Sequence, residues 1–133
     1  MGSWGTDVFA SDDAADLLAD LAEVPDPAAL LQAAMTAALD PDGYLESPEM
    51  TDGLAAAALV ACAVDGHRVG GGPAQDLLDA GRVPGTDQLR QLARAVLDRG
   101  LADDGTEWAE LWAEAGELDD ARDHLRSYRA LLA

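Results

Sequence analysis

Apolar residues recur at helical spacing through most of the chain, and the first predicted helix shows the pattern most clearly. It covers about 13–23, with Ser11 or Asp12 as the N-cap and Pro25 as the stop. Leucine and alanine residues occupy one side and acids the other: Ala14, Leu17, Leu18 and Leu21 against Asp13, Asp16, Asp20 and Glu23. Because an amphipathic helix buries its apolar stripe, we expect these acids to lie in solvent.

Caps and helix breakers divide the rest of the chain into further helices. The second predicted helix begins at Asp26-Pro27 and ends near Leu39, and the third runs from Ser47 to Val64. A short helix is predicted at 74–80. The next begins at Thr86 or Asp87 and runs to about Arg99, with Gly100 as the stop. The last two cover 106–115 and 118–132. No segment alternates long enough to form a strand. We therefore predict an all-α fold: one compact helical domain over 1–133, with six or seven short helices and an irregular N-terminal arm at 1–11.

The third predicted helix is apolar on every side from Leu54 to Val64. This run is far shorter than the roughly 20 residues that cross a bilayer, so we expect it to be the buried centre of the fold and expect no membrane partner. No basic segment typical of a signal peptide is present. Cys62 is the only cysteine, which excludes an internal disulfide and favours a cytoplasmic location.

The composition is strongly acidic. The 133 residues include 26 acidic and eight basic side chains, for a net charge of −18 at pH 7. Such a chain repels phosphate groups, so we expect no nucleic-acid partner. Every basic residue is arginine, and the chain contains no lysine, asparagine or isoleucine. That bias is typical of a GC-rich genome, for which an actinobacterium is our first expectation.

The charge is distributed unevenly along the chain. Residues 1–67 contain 13 acids and no arginine or lysine, whereas the rest contains 13 acids and all eight arginines. The acids alternate with apolar residues at helical spacing, which argues against a disordered acidic tail. Two interpretations remain: a solvated face that keeps the protein soluble, or a docking surface for a basic protein.

Residues that could support catalysis are few. Cys62 lies inside the most apolar predicted helix, so we interpret it as an unreactive core thiol. No spacing links His67 or His124 to a nucleophile. We predict no catalytic residue, no metal ligand and no cofactor.

The segment from Ala38 to Glu49 partly matches a calcium-binding loop between two helices. Positions 3, 5, 6, 8 and 12 of such a loop would be Asp40, Asp42, Gly43, Leu45 and Glu49. The first ligand position would be Ala38, which has no side-chain oxygen. We therefore interpret the segment as a turn that links two helices.

The opening of the chain and two later segments carry a resemblance to a known family. The opening motif is Met1-Gly2-x-Trp4-Gly5-x-x-x-Phe9-x-x-Asp12-x-Ala14-x-Asp16. The similarity continues through Tyr44-Leu45-Glu46 and the alanine-rich helix that follows it. It also includes Glu110-Leu111-Trp112-Ala113-Glu114 near the end of the chain. Over nearly its whole length the chain resembles an uncharacterised bacterial family, the domain of unknown function 4259. The resemblance implies a bacterial origin, supports the fold and leaves the function open.

Two functional hypotheses follow from different features. The first is a non-catalytic acidic interaction protein, of the immunity-protein or antitoxin type, that inhibits a basic partner protein. Its predicted partner-binding residues are Asp12, Asp13, Asp16, Asp20 and Glu23. The alternative is a small-ligand- or metal-binding protein, or an enzyme, with a pocket at the N-terminal arm formed by Trp4, Phe9, Asp12 and Asp16.

Overall fold

The helices predicted from the apolar periodicity are present in the structure. The computed structural model describes residues 7–40, 45–69 and 72–132. Within these ranges the fold is all-α, with seven helices and no strand: α1 (Asp12–Glu23), α2 (Pro27–Ala38), α3 (Ser47–Asp65), α4 (Pro73–Asp79), α5 (Asp87–Ala102), α6 (Glu107–Glu114) and α7 (Leu118–Ala130). The predicted fold class is confirmed.

Side-chain caps fix where several helices begin. Four polar side chains each accept a hydrogen bond from the backbone N–H three residues later: Ser11, Asp26, Thr86 and Thr106. Each bond satisfies one of the N–H groups that a helix start leaves without an intrahelical partner. These local interactions explain why α1, α2, α5 and α6 begin close to their predicted positions.

Helix α3 is the centre of the fold and packs against all six other helices. Its residues from Gly53 to Cys62 are buried without interruption, as the apolar run predicts. Gly53 lies where α3 crosses α2, and a Cβ added there would lie 2.2 Å from the Cβ of Ala38. The two helices can approach this closely only because Gly53 has no side chain. Across the described ranges, no helix has both the length and the apolar composition to cross a membrane.

Gly100 does not end α5, contrary to the prediction. The helix continues to Ala102, and Gly100 is buried within its last turn. A Cβ at this position would lie 2.7 Å from Leu125 Cδ1 and 2.9 Å from Leu54 Cδ2. Gly100 is therefore needed for close packing of α5 against α3 and α7.

Four arginines bind backbone carbonyl groups near the C-terminal ends of helices. Arg82 donates to the carbonyl oxygens of Leu21 (2.8 Å) and Val24 at the end of α1. The other three act at the ends of α2, α5 and α7: Arg99 to Ala38 and Asp40, Arg122 to Gly100, and Arg94 to Leu132. Because the last carbonyls of a helix have no intrahelical partner, these guanidinium groups both satisfy them and join distant segments.

Candidate functional site

The first helix presents an exposed acidic surface. Its apolar side chains are buried against the rest of the fold, as predicted, whereas five acids are exposed. We call these five residues the α1 acidic face: Asp12, Asp13, Asp16, Asp20 and Glu23. Within the described residues, none of them forms an ion pair.

The arginines pair with acids elsewhere. Six ion pairs among the described residues join an arginine to an acid of the second half of the chain: Arg68–Asp79, Arg90–Asp87, Arg99–Asp103, Arg122–Asp104, Arg126–Asp123 and Arg129–Asp98. One acid of the first half, Asp7, lies 3.7 Å from His124 Nδ1. The arginines therefore leave the α1 acidic face unneutralised.

Asp52 extends this negative region onto α3, and the sequence analysis did not identify it. Its side chain is half-buried, and its Oδ1 atom is buried without a hydrogen-bond partner among the described residues. Burial, followed by the charges of Asp13, Asp16 and Asp20, raises the pKa of Asp52 to about 6. The available signal was a carboxylate two residues before the wholly apolar run that begins at Leu54.

A cavity of about 550 Å³ lies beside residues 7–11, the part of the predicted N-terminal arm that the structure describes. Its apolar walls come from the arm, α3 and α6: Val8, Leu54, Trp108, Leu111 and Trp112. Four carboxylates also line the cavity, from the arm, α1, the end of α6 and the start of α7: Asp7, Asp13, Glu114 and Glu117. Ala115 and three hydroxyl groups complete the lining: Ser11, Ser47 and Thr51. The cavity and the α1 acidic face share Asp13.

Of the residues predicted to form an arm pocket, those that the structure describes do not line this cavity. Trp4 lies outside the described residues. Phe9 contacts the ring of Tyr128 edge-on, with 5.9 Å between ring centroids, and is not part of the cavity lining. Asp12 and Asp16 also lie outside that lining. The arm residues that do line the cavity are Asp7, Val8 and Ser11, which the sequence analysis did not select.

Asp7 attaches the arm to the last helix. Tyr128 donates a hydrogen bond from its hydroxyl to Asp7 Oδ1 at 2.8 Å. Burial, followed by the charge of Asp7, raises the pKa of Tyr128, so the hydroxyl keeps its proton and remains a donor. The bond holds the Asp7 side chain at the edge of the cavity.

The i, i+3, i+4 spacing in α6 predicts that Trp108, Leu111 and Trp112 share a face, and the structure divides them by burial. Trp108 is only 6% exposed, whereas Leu111 is 49% exposed. Trp112 lies between these extremes. All three line the cavity, so the face that the spacing indicates is in large part a cavity wall rather than a fully packed stripe.

Residues with potential catalytic or metal-binding chemistry are dispersed. Cys62 is 1% exposed, and its burial raises the pKa of the thiol to about 11. His67 is exposed, and His124 is half-exposed beside Asp7. Across the described part of the chain, no group of three or more His, Cys, Asp or Glu side chains could hold a metal ion. Asp42 and Gly43 of the calcium-loop comparison lie outside the described residues.

Comparison with protein families gives a match over most of the chain. Residues 2–124 match a family described as Domain of unknown function (DUF4259). The chain belongs to this family. No curated protein and no solved structure matches it.

The DUF4259 match includes every part of the two surfaces described above. It covers all five residues of the α1 acidic face, Asp52 and the whole cavity lining up to Glu117. It ends at residue 124, within α7, so Tyr128 lies beyond it. The description of the family assigns no activity to either surface.

Proposed function

We propose that this DUF4259 chain is a non-catalytic interaction protein that binds a basic partner protein through the α1 acidic face, in the manner of an immunity protein or antitoxin. One observation carries the proposal: five acids on one helix are exposed and lack ion-pair partners within the described residues. An acidic surface of this kind complements a basic enzyme both in charge and in position.

The electrostatics of the face favour rapid association with a cationic protein. Like charges held on one helix produce a potential that extends about 10 Å into solvent at 0.1 M salt. Such a potential steers an oppositely charged partner towards the face and raises its association rate. Because each acid is exposed, its contribution to affinity is small alone and depends on the cluster acting together.

Asp52 gives the same region a second reason to attract a cation. Its Oδ1 is buried and unpaired in the part of the chain that the structure describes, which is a costly state for a charged carboxylate. An arginine or lysine of a partner that reached Asp52 would supply the missing hydrogen bond. Binding would then lower the pKa of Asp52 and release a proton near pH 6.

Capture experiments with two charge-matched variants test the proposal. The first variant neutralises three residues of the face: Asp16→Asn, Asp20→Asn and Glu23→Gln. The control removes three exposed acids that lie elsewhere and have no ion-pair partner among the described residues: Asp65→Asn, Asp76→Asn and Asp119→Asn. Both variants have a net charge three units less negative than the parent, so they differ only in where charge is lost.

The expected result is capture of a basic protein from the native lysate at about 20 mM sodium chloride, with loss at about 500 mM, where screening is strong. The face variant should lose this protein and the control should retain it. The captured protein, once identified and purified, should lose activity when the parent chain is added. Capture that is indifferent to salt, or equal loss by both variants, would contradict the assignment to α1.

A second candidate function, binding of a small ligand, is favoured by the cavity beside residues 7–11. Its volume of about 550 Å³ falls within the range typical of small-molecule sites, roughly 300–1,000 Å³. The lining also has the usual character of such sites, with apolar walls and a limited set of polar groups. This candidate requires no basic protein partner and can be tested separately.

A further inference from the structure

The cavity beside the arm has an unusual combination of walls and charge. Two tryptophans, a leucine from α3 and a valine from the arm form an apolar interior: Trp108, Trp112, Leu54 and Val8. Four carboxylates lie in the same lining, which contains no arginine, lysine or histidine among the described residues. An apolar interior with several acids and no base selects ligands by charge as well as by shape.

The carboxylates are available for a ligand. Asp13, Glu114 and Glu117 are exposed and form no ion pair within the described ranges. Asp7 accepts a hydrogen bond from Tyr128 through Oδ1, and the same atom lies 3.7 Å from His124 Nδ1. Most of the negative charge at the cavity therefore lacks a counter-charge from the protein.

The tryptophan side chains in the cavity lining also favour a cationic ligand. The faces of indole rings attract organic cations, and tryptophan is the most effective side chain in this respect. Low-polarity walls also concentrate the field of neighbouring carboxylates. An anionic ligand would be repelled by all four acids, and a neutral ligand would gain from the apolar walls alone.

We propose that the cavity binds a small organic cation, namely an aromatic or aliphatic amine whose apolar body packs on Trp108, Trp112 and Leu54 and whose ammonium group faces the carboxylates of Asp7 and Asp13. The inference rests on the second candidate function above and names its ligand class. It does not require that α1 binds a basic protein, although Asp13 belongs to both surfaces.

Calorimetric titration of the full chain with four matched probes tests this inference. The probes are 2-naphthylmethylammonium, the neutral 2-naphthylmethanol, the anionic 2-naphthoate, and methylammonium, which has the charge without the apolar body. At about 20 mM sodium chloride, the naphthyl cation should bind about tenfold more tightly than the alcohol, a difference of the size that cation–π and carboxylate contacts give. Naphthoate and methylammonium should show no measurable binding.

Variants locate the binding. Trp112→Ala and Leu111→Ser should each lower the affinity for the naphthyl cation, and Trp112→Ala should lower it by about tenfold. Leu111 is exposed, so the second substitution tests the wall without disturbing the core. The double substitution Asp13→Asn with Glu117→Gln removes two carboxylates of the cavity lining. It should weaken binding of the naphthyl cation and leave the affinity for the alcohol unchanged. The control Asp65→Asn with Asp76→Asn removes the same charge away from the cavity and should preserve the parent affinity.

Each contrary outcome has a defined meaning. Equal, Trp112-dependent binding of the alcohol and the cation would overturn the ligand class while leaving the ligand site in place. Failure of both naphthyl probes to bind would overturn the inference and the second candidate function together. Binding of the cation only after Trp4→Ala would show that the chain's own tryptophan is the occupant. A dimer in ultracentrifugation that Leu111→Ser converts to monomer would show that a second copy covers the cavity.

Discussion

Two regions of this molecule carry the same number of acids and use them differently. Residues 1–67 and residues 68–133 each contain 13 acidic side chains, but all eight arginines belong to the second. On α1 the acids are exposed and unpaired in the described structure. From α4 to α7 six acids have an arginine within ion-pair distance. Net charge alone does not distinguish these states.

The position of the arginines explains the difference. Arg99 and Arg122 each bind backbone carbonyls at helix ends and a nearby aspartate at the same time. A guanidinium group has five N–H donors, which permits both kinds of contact. Because these arginines hold helices together inside the fold, they are not free to cover α1. An unneutralised acidic surface can therefore result when the arginines are used to hold the fold together.

Both regions share one core. Among the substitutions considered, the largest loss of stability is expected where α2 and α3 pack most closely. Gly53→Ala places a methyl group 2.2 Å from the Cβ of Ala38. We expect α2 and α3 to separate and the free energy of unfolding to fall by about 3 kcal/mol. Urea denaturation followed by far-UV circular dichroism measures this loss.

Two further observations test whether the halves unfold together. The near-UV signal of the tryptophans in α6 should change at the same urea concentration as the helical signal. The double variant Ala38→Gly with Gly53→Ala moves the methyl group to the other helix and should recover at least about 1 kcal/mol. Retention of the near-UV signal after loss of the helical signal would show that the two halves unfold independently and do not share one core.

A smaller effect is expected from arginines that differ in their partners. Arg99 donates to the carbonyls of Ala38 and Asp40, both at 2.9 Å, and its side chain is 19% exposed. Arg126 forms an ion pair with Asp123 on the exposed surface of α7. Arg99→Gln should lower the free energy of unfolding by about 2 kcal/mol, since it removes the donor to the part-buried carbonyl of Ala38.

The matched Arg126→Gln substitution should change stability by less than about 0.5 kcal/mol, as exposed ion pairs contribute little. The same urea measurements apply to both variants. Equal effects would mean that the carbonyl contacts add nothing beyond an ordinary surface ion pair.

Asp52 and Asp103 should make contributions to stability that depend on pH in opposite directions. The pKa of Asp52 is raised to about 6 by burial and by the α1 acids, so its folded state binds a proton more tightly than the unfolded chain. Its stabilising effect is complete below about pH 3.8 and is lost as the pH rises through about 6. Asp52→Asn should therefore stabilise the protein at about pH 8, by about 1 kcal/mol after allowance for solvent screening, and have little effect near pH 4.

Asp103 provides the contrast in the arginine-containing half. The backbone N–H of Gly105, followed by the Arg99 guanidinium, lowers the pKa of this carboxyl. Its contribution to stability is present above its unfolded pKa and is lost as the pH falls. Asp103→Asn should destabilise the protein at pH 8 and lose its effect in acid. Thermal melting of both variants across this range checks the signs, and the same sign for both would refute the distinction.

Much of the fold could be predicted because its signals are local. Helix starts follow from caps such as Ser11 and Thr106, and the buried side of α1 follows from the spacing of its leucines. Gly100 shows where local reasoning fails. A glycine that ends a helix and one that permits close packing look alike in sequence, and the difference depends on Leu54 and Leu125, which are distant in the chain.

The candidate sites depend more strongly on tertiary contacts. The exposed acids of α1 could be predicted from a single helix. Their lack of neutralisation could not, since it depends on Arg82 and Arg99 binding carbonyls about 60 residues away. The cavity likewise requires residues of the arm, α3 and α6 to meet, and no spacing within one helix indicates such a meeting.

The five acids of the α1 acidic face have no ion-pair partner within the described residues and should repel one another, and thermal melting under four conditions measures this repulsion. Parent protein is melted at about pH 5.5 and pH 8, each at about 20 mM and 500 mM sodium chloride. Repulsion predicts that the pH 8, low-salt sample has the lowest melting temperature, because acid protonates Asp52 and salt screens the face. If that sample is instead the most stable of the four, the acids are internally paired and the free α1 docking surface does not exist.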